Sequence, residues 1–340
     1  MDDELNATFI TLDGYVELYR YRYLYFVIMF TVYILIICSN STIICLVWIH
    51  QNLHEPMYVF IAALLLNSVL FSTAMYPKLL IDFLSEKQII SYSTCLFQFQ
   101  IFYSLGGSEF LLLAAMAYDR YVSICKPLQY PTIMRKAAVR VFLVLAWLLP
   151  ACQVAVPAVM SANKKLCSFT LKAIFCNNTV YKLQCVVSNT QIIHDLVILL
   201  NVALLPVLFI LFTYTRILII SYRSSREVRK KAAQTCLPHL LVLINFSCLC
   251  AYDVITVQLE SDFPKTVRLI MTLQIVTYHP LFNPIMYGLK MKEISKHLKR
   301  LFCHEKQREE PPSISVVFRL KRLVLPVSLS LLLRRPPSRP

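Results

Sequence analysis

Two short motifs carry residues that could do electrostatic work in an apolar setting. Asp119-Arg120-Tyr121 directly follows an apolar run. It places an ionised pair at a helix end, where charge is costly unless it is paired, functional or able to reach water. Asn283-Pro284-x-x-Tyr287 lies inside another apolar run, and its proline frees a backbone carbonyl that needs a partner where water is absent. The motifs indicate a functional ion pair and a kinked helix.

A single carboxylate occupies the middle of the run that ends in the first motif. Glu109 precedes Arg120 by about three helical turns. An ionised carboxylate at that depth in a membrane is expensive, so it is expected to have polar partners. Glu109 therefore indicates a polar core.

Motifs of enzymes and transporters are missing from the sequence. It contains no HExxH, GxSxG or Walker loop, and no paired aspartates in its apolar runs. The repeats and broken, charge-bearing helices of transporters are not evident. We therefore expect neither an enzyme nor a transporter, and no cofactor or metal site.

The composition requires lipid as the main solvent. Of 340 residues, 57% are hydrophobic and 16% are charged, which is too apolar a balance for a soluble domain of this size. One crossing needs about 20 helical residues, so the chain has room for about seven. The predicted fold is an all-α bundle of seven transmembrane helices. The apolar runs are approximately 25–49, 57–80, 95–118, 137–160, 192–220, 235–257 and 266–289.

The placement of the charges sets the topology. A net charge of +15 would suggest nucleic acid as the partner of a soluble protein, but here the basic residues cluster in 120–140, 216–231 and 290–300. If all three stretches face the cytoplasm, the positive-inside rule places the N-terminus outside. The acidic segment 1–24 and its sequon at Asn6 agree with that, and Asn6 is a candidate glycosylation site. We expect no nucleic-acid partner.

The chain after the seventh run divides into two parts. Residues 290–303 place apolar side chains at helical spacing between lysines, which predicts a short amphipathic eighth helix on the lipid surface. Cys303 at its end is a palmitoylation candidate. Residues 304–340 are charged and proline-rich, and we predict a disordered cytoplasmic tail, with loose membrane association through its arginines as the alternative. The seven-helix receptor domain is then 25–289.

Several strings resemble vertebrate odorant receptors, a branch of the rhodopsin-like G-protein-coupled receptors. The strongest is MAYDRYVSICKPLQY at 116–130. Pro56-Met57-Tyr58, KAAQTCLPHL at 231–240 and NPIMYGL at 283–289 follow in family order. The wording of 231–247 is most similar to the receptors of fishes. The resemblance implies an odorant ligand, a stimulatory olfactory G protein that raises cyclic AMP, and the plasma membrane of olfactory cilia.

The resemblance also assigns roles to the two motifs. It implies that Arg120 reaches the G protein when helix six moves outward, and that Tyr287 can swing toward Arg120. Many relatives clamp this arginine with an acid at the start of helix six. Here that stretch reads Arg229-Lys230-Lys231, and only Glu227 could serve. Raised basal activity is therefore a hypothesis.

Disulfides and a sodium site are implied in the same way. Sequence alone leaves three connectivities for four cysteines on the outer side. The family pattern pairs Cys95 with Cys176 and Cys167 with Cys185. In relatives the counterpart of Glu109 helps to hold sodium near Asn40, but the span-two aspartate of those proteins is Ser68 here. A protonated, hydrogen-bonded Glu109 is the alternative.

The ligand is expected in a mostly apolar cavity between the outer halves of spans three, five, six and seven. Phe102 stands where amine receptors carry an aspartate, which favours a small apolar odorant over an amine. The alternative is a rhodopsin-like receptor for a non-odorant ligand outside the olfactory epithelium. The candidate pocket residues are Phe102, Tyr103, Gly106, Gly107, Ser247, Cys250, Ala251 and Val254.

Overall fold

The structure is a computed structural model that describes residues 9–186, 188–222, 226–258 and 264–304. Within these residues, the seven predicted spans are confirmed as long helices. They are α1 (Leu18–Ile49), α2 (Pro56–Leu84), α3 (Tyr92–Cys125), α4 (Lys136–Ala162), α5 (Asn189–Tyr222), α6 (Arg226–Gln258) and α7 (Lys265–Lys290). The amphipathic helix α8 is Lys292–His304.

The helices differ in how apolar they are. Among the described residues, α1 to α5 are long and apolar enough to cross a membrane by length and composition. In α6 the apolar part is shorter, Cys236–Tyr252. The seventh helix is more polar because it carries Gln274, His279 and Asn283, of which the last two belong to the site described below.

Some boundaries differ from the sequence prediction. Helix α1 begins at Leu18, seven residues before the predicted apolar run, because a helix can continue past the apolar segment. In this added segment Arg20 and Arg22 lie over the rings of Tyr21 and Tyr19, respectively. Asn6, the side chain of Cys303 and the tail from 305 lie outside the described residues.

The chain forms two compact units, Met1–Ser295 and Lys296–Pro340. The first contains all seven long helices. The described part of the second is the continuation of α8 through its last residue, His304.

A small sheet covers one end of the bundle. Strand β1 (Phe9–Leu12) pairs antiparallel with β2 (Ile89–Ser91) and parallel with β3 (Thr170–Leu171). Ile10 and Leu12 of β1 are buried. The N-terminal segment is also tied by an ion pair of 2.7 Å between Lys265 Nζ and Asp13 Oδ1.

Both predicted disulfides are present at this end. Cys95 at the start of α3 joins Cys176 with a Cα separation of 5.3 Å, and Cys167 joins Cys185 at 4.8 Å. The first bond ties the segment between α4 and α5 to α3, which places that segment over the helices.

Prolines free carbonyls in the helices, and side chains from neighbouring helices donate to them. Pro280 has no N–H for the carbonyl of Val276, and the Tyr76 hydroxyl of α2 donates to that oxygen at 3.2 Å. Pro284 likewise frees the carbonyl of Pro280, which accepts from Asn40 Nδ2 of α1 at 3.0 Å. Helix α7 is thereby bonded to α1 and α2.

Candidate functional site

A cavity of about 500 Å³ lies among the helices near the disulfide-bonded end. Residues of α2 to α7 and of the segment between α4 and α5 line it, and most of them are apolar or aromatic. Three consecutive turns of α3 contribute, from Phe99 to Phe110. The size and lining suit one small organic molecule.

Six of the eight predicted pocket residues line this cavity: Phe102, Tyr103, Gly106, Gly107, Cys250 and Val254. Ser247 and Ala251 do not. On α6 the lining residues include Phe246, Leu249 and Cys250, which share a face at a spacing of three and four residues. Ser247 and Ala251 each follow a lining residue by one position and are rotated about 100° away from it, and Ala251 is exposed.

An aromatic wall covers the α3 side of the cavity. The rings of Phe102 and Phe175 have centroids 4.9 Å apart, and Phe99 and Tyr103 are equally close. Phe175 precedes the disulfide-bonded Cys176, whose N–H donates to Gln98 Oε1 at 3.0 Å. The Cys95–Cys176 bond therefore positions one of the aromatic rings that pack on Phe102.

Charged and polar groups line one part of the cavity wall. Asp195 of α5 accepts a hydrogen bond from the Tyr181 hydroxyl at 3.2 Å, and Lys182 lines the same region. Burial, followed by the charge of Asp195, raises the pKa of Tyr181 well above its ordinary value. The phenol therefore stays protonated and remains a donor.

A polar core centred on Glu109 also borders the cavity. Its Oε2 accepts from Asn67 Nδ2 at 3.0 Å, and its Oε1 accepts from Asn283 Nδ2 at 2.9 Å. His279 Nε2 lies 3.2 Å from the same Oε1. Asn283 Nδ2 is also 3.1 Å from the Ser68 hydroxyl. Since Glu109, His279, Asn67 and Ser68 line the cavity, this core connects it to the Asn283 motif.

Nitrogen donors face the carboxylate of Glu109 in this core. Hard cations take oxygen ligands. Here the amide nitrogens of Asn67 and Asn283 and the ring of His279 face Glu109, so its carboxylate oxygens are already engaged. Asn40 turns its nitrogen to the carbonyls of Ile36 and Pro280. Asn40 Oδ1 and Asn283 Oδ1 are buried without a hydrogen-bond partner among the described residues, so the sodium site and the protonated, hydrogen-bonded Glu109 both stay predictions.

The other motif lies at the far end of α3. Arg120 pairs with Asp119, with Nε 2.9 Å from Oδ2, and both side chains are buried. Tyr130 donates to Asp119 Oδ1 at 2.8 Å. Burial, and then the charge of Asp119, raises the pKa of Tyr130, so this donor persists at physiological pH. Tyr121 is partly buried beside the pair.

The end of α7 meets α6 through Tyr287 and His239. Tyr287 is fully buried, and its hydroxyl lies 3.4 Å from His239 Nδ1. The side chains of Glu227 and of Arg229 to Lys231 are outside the described ones. The described partner of Arg120 is Asp119.

Known proteins resemble this chain in sequence over most of its length. Residues 29–305 match the family described as olfactory receptor. The chain belongs to the olfactory receptor family. It is 33% identical to human olfactory receptor 13C2 over 294 residues, covering 83% of this chain and 91% of that one. With human olfactory receptor 11A1 the identity is 34% over 308 residues, covering 88% and 95%.

The fold has a counterpart among solved structures. The crystal structure of squid rhodopsin matches with a TM-score of 0.64 at 17% identity, covering 86% of this chain and 93% of that one. This olfactory receptor therefore has the rhodopsin-like seven-helix fold. It is a multi-pass signalling receptor of the plasma membrane rather than an enzyme, and its family implies a small-molecule ligand and a G protein. The particular likeness to fish receptors stays a prediction.

Sequence reasoning missed three functional candidates in this olfactory receptor. His279 was not paired with Glu109, although a histidine inside a predicted span was a signal. Asp195 is the acidic residue of a predicted span, and the same signal applied to it. Tyr130, at the end of the recognised string, was quoted without a role, and its hydrogen bond to Asp119 requires the structure.

Proposed function

We propose that this receptor binds a small, mostly apolar odorant in the cavity from the outer side of the membrane. Binding would activate a heterotrimeric G protein of the stimulatory olfactory type and raise cyclic AMP. The observation that carries the proposal is the cavity of about 500 Å³, because its border includes Glu109, which also holds Asn283. A ligand can thus act directly on the Asn283-Pro284 motif of α7.

Activation is a shift between two states. A ligand displaces the equilibrium only by its differential affinity for the two. Contact of a ligand with His279 or Glu109 would change the two hydrogen bonds that Asn283 Nδ2 donates. One goes to Glu109 Oε1 at 2.9 Å and the other to the Ser68 hydroxyl at 3.1 Å. A ligand that binds better when the polar core around Glu109 is rearranged then also favours the state in which α7 has moved.

The far end of α3 is the output of this switch. In the state described, Arg120 is buried against Asp119, which Tyr130 holds. Release of the guanidinium would let it contact the C-terminal helix of the G protein, and Tyr287 would leave His239 to approach it. The basic stretch 290–300 would support that interface electrostatically.

The proposed topology places the Arg120 end of α3 at the cytoplasmic side, where the G protein is. Residues 1–24 lie outside, 25–289 form the receptor domain, 290–303 lie on the inner lipid surface and 304–340 are a cytoplasmic tail. We place the receptor in the ciliary membrane of olfactory neurons.

The test is a comparison of Arg120→Ala with Arg135→Ala, an exposed arginine before α4. Wild type and both variants are surface-tagged, matched for surface level, and exposed to water-borne odorants while cyclic AMP and calcium are recorded. We expect Arg120→Ala alone to abolish a cyclic AMP response. An odorant response that survives Arg120→Ala, or that appears only as calcium, contradicts the proposed coupling. Silence of well-surfaced wild type contradicts the odorant ligand.

A further inference from the structure

One carboxylate stands out in the otherwise apolar contribution of α5 to the cavity. The first part of α5, Asn189–Ile198, carries Asp195 as its acidic residue, and its lining neighbours Ile192 and Leu196 are apolar. Asp195 is partly buried, and it lines the cavity. A charge in such a place calls for a partner.

Protein groups satisfy only half of this carboxylate. Oδ1 accepts from the Tyr181 hydroxyl at 3.2 Å. Across the described part of the chain, no hydrogen bond reaches Oδ2 and no lysine or arginine forms an ion pair with Asp195. Glu109 differs, since Asn67 and Asn283 occupy its two oxygens. Asp195 is therefore the cavity carboxylate that is open to a ligand.

We propose that the ligand of this cavity carries a protonated amine that binds Asp195, with its apolar chain along the aromatic wall of α3. The inference rests on the proposed function and refines its ligand class. An ammonium donates to Oδ2 while Tyr181 holds Oδ1, and the pair compensates the loss of hydration that burial imposes on each charge. Phe102, which stands where amine receptors carry an aspartate, then packs on the apolar chain of the ligand and does not bind its amine.

The competing ligand is a carboxylate, because Lys182 lines the same region. Lys182 already makes an interaction of its own, whereas Asp195 offers an oxygen. The acceptor oxygen that borders the cavity favours a ligand with a donor head group, and an amine supplies one with the complementary charge.

The probes are hexylamine, hexan-1-ol and hexanoic acid, which share one chain and differ in the head group. The variants are Asp195→Asn, which keeps an acceptor for Tyr181, Asp195→Glu, and the control Asp13→Asn, whose carboxylate pairs with Lys265 outside the cavity lining. Potency is read as cyclic AMP at matched surface level. Binding is read separately as ligand-induced thermal stabilisation of the purified receptor in nanodiscs, which needs no G protein.

We expect wild type to prefer hexylamine. Asp195→Asn should weaken hexylamine roughly 10- to 100-fold in both readouts, as for loss of a hydrogen bond to a charged group. Hexan-1-ol should change little, Asp195→Glu should retain part of the amine preference, and Asp13→Asn should match wild type.

Three results overturn the inference. They are a hexan-1-ol potency equal to that of hexylamine on wild type, a hexanoic acid potency above it, and an Asp195→Asn variant that weakens amine and alcohol equally, as a structural role would. In each case a cyclic AMP response to some probe leaves the proposed function standing. Stabilisation by hexylamine without any cyclic AMP response contradicts the proposed coupling and supports the amine site. The absence of both readouts for every probe overturns both.

Discussion

Two adjacent glycines of α3 should respond in opposite ways to an added side chain. A Cβ at Gly106 would meet nothing within 4 Å, and Gly106 lines the cavity. A Cβ at Gly107 would lie 2.5 Å from Val202 Cγ1 and 2.8 Å from Pro150 Cβ. Substitution of Gly106 therefore fills ligand space, and substitution of Gly107 forces α3 away from α4 and α5.

The size of the Gly106 effect follows from the carbons displaced. A methyl group occupies a volume similar to one water, roughly 30 Å³, out of about 500 Å³. Valine adds three carbons, and each buried CH₂ contributes about 0.8 kcal/mol. Gly106→Val should then weaken the longest accepted ligand by about 2.4 kcal/mol, or about fifty-fold. Gly106→Ala should weaken it by roughly fourfold, and short ligands should be unaffected.

Gly107→Ala has a different signature. Gly107 also lines the cavity, but its added Cβ would meet Val202 and Pro150, so the substitution acts on the helix contacts. Overpacking of this kind costs about 1 to 3 kcal/mol. We expect lower thermal stability in nanodiscs and a reduced response to every ligand, irrespective of chain length.

The assay is a cyclic AMP dose response to straight-chain aldehydes and amines of increasing length, at matched surface level. The reasoning predicts that Gly106→Val shortens the accepted chain while Gly107→Ala does not change the ranking. A uniform loss with Gly106→Val, or a length-selective loss with Gly107→Ala, would refute it.

Three further outcomes are expected. Tyr76→Phe leaves the Val276 carbonyl without its donor, and thermal unfolding should show a loss of about 1 to 3 kcal/mol; an unchanged midpoint would mean that another donor replaces the phenol. Tyr130→Phe removes the bond that holds Asp119, so basal cyclic AMP should rise by roughly two- to tenfold, and a fall would contradict this role. Asn177-Asn178-Thr179 also matches the glycosylation sequon, but Asn177→Gln should leave the mass of the receptor unchanged, because Asn177 is buried and its Oδ1 accepts from the Thr179 hydroxyl at 2.6 Å; a gel shift would show that this sequon is used.

The sequence predicted the helices because hydropathy and helical span length are local properties. Boundaries were less accurate, as at Leu18, since an apolar run marks membrane depth and not the extent of the helix. The disulfide pairs came from the family resemblance, because spacing alone leaves several connectivities.

Which face of a helix meets the cavity depended on features that a single sequence does not reveal. In α5 a π-helical segment, Leu199–Leu204, separates two α-helical parts and shifts the phase of the side chains on either side. Val202 and Ala203 of this segment line the cavity with Asp195. The helical phase read from the first part of α5 therefore does not carry over to the residues beyond this segment. His279 and Glu109 are likewise far apart in sequence, and only packing brings them to 3.2 Å.

The hydrogen bonds of α7 divide this helix into a held part and a part with weaker ties. Tyr76 bonds to the Val276 carbonyl, Asn40 bonds to the Pro280 carbonyl, and Glu109 accepts from Asn283. These bonds come from three helices and all precede Pro284. Beyond that proline, the described side-chain contact of Tyr287 is His239 at 3.4 Å, which is long for a hydrogen bond. Motion of the end of α7 therefore breaks fewer side-chain hydrogen bonds between helices than motion of its middle. Glu109, at the border of the cavity, bonds to Asn283, where the held part ends.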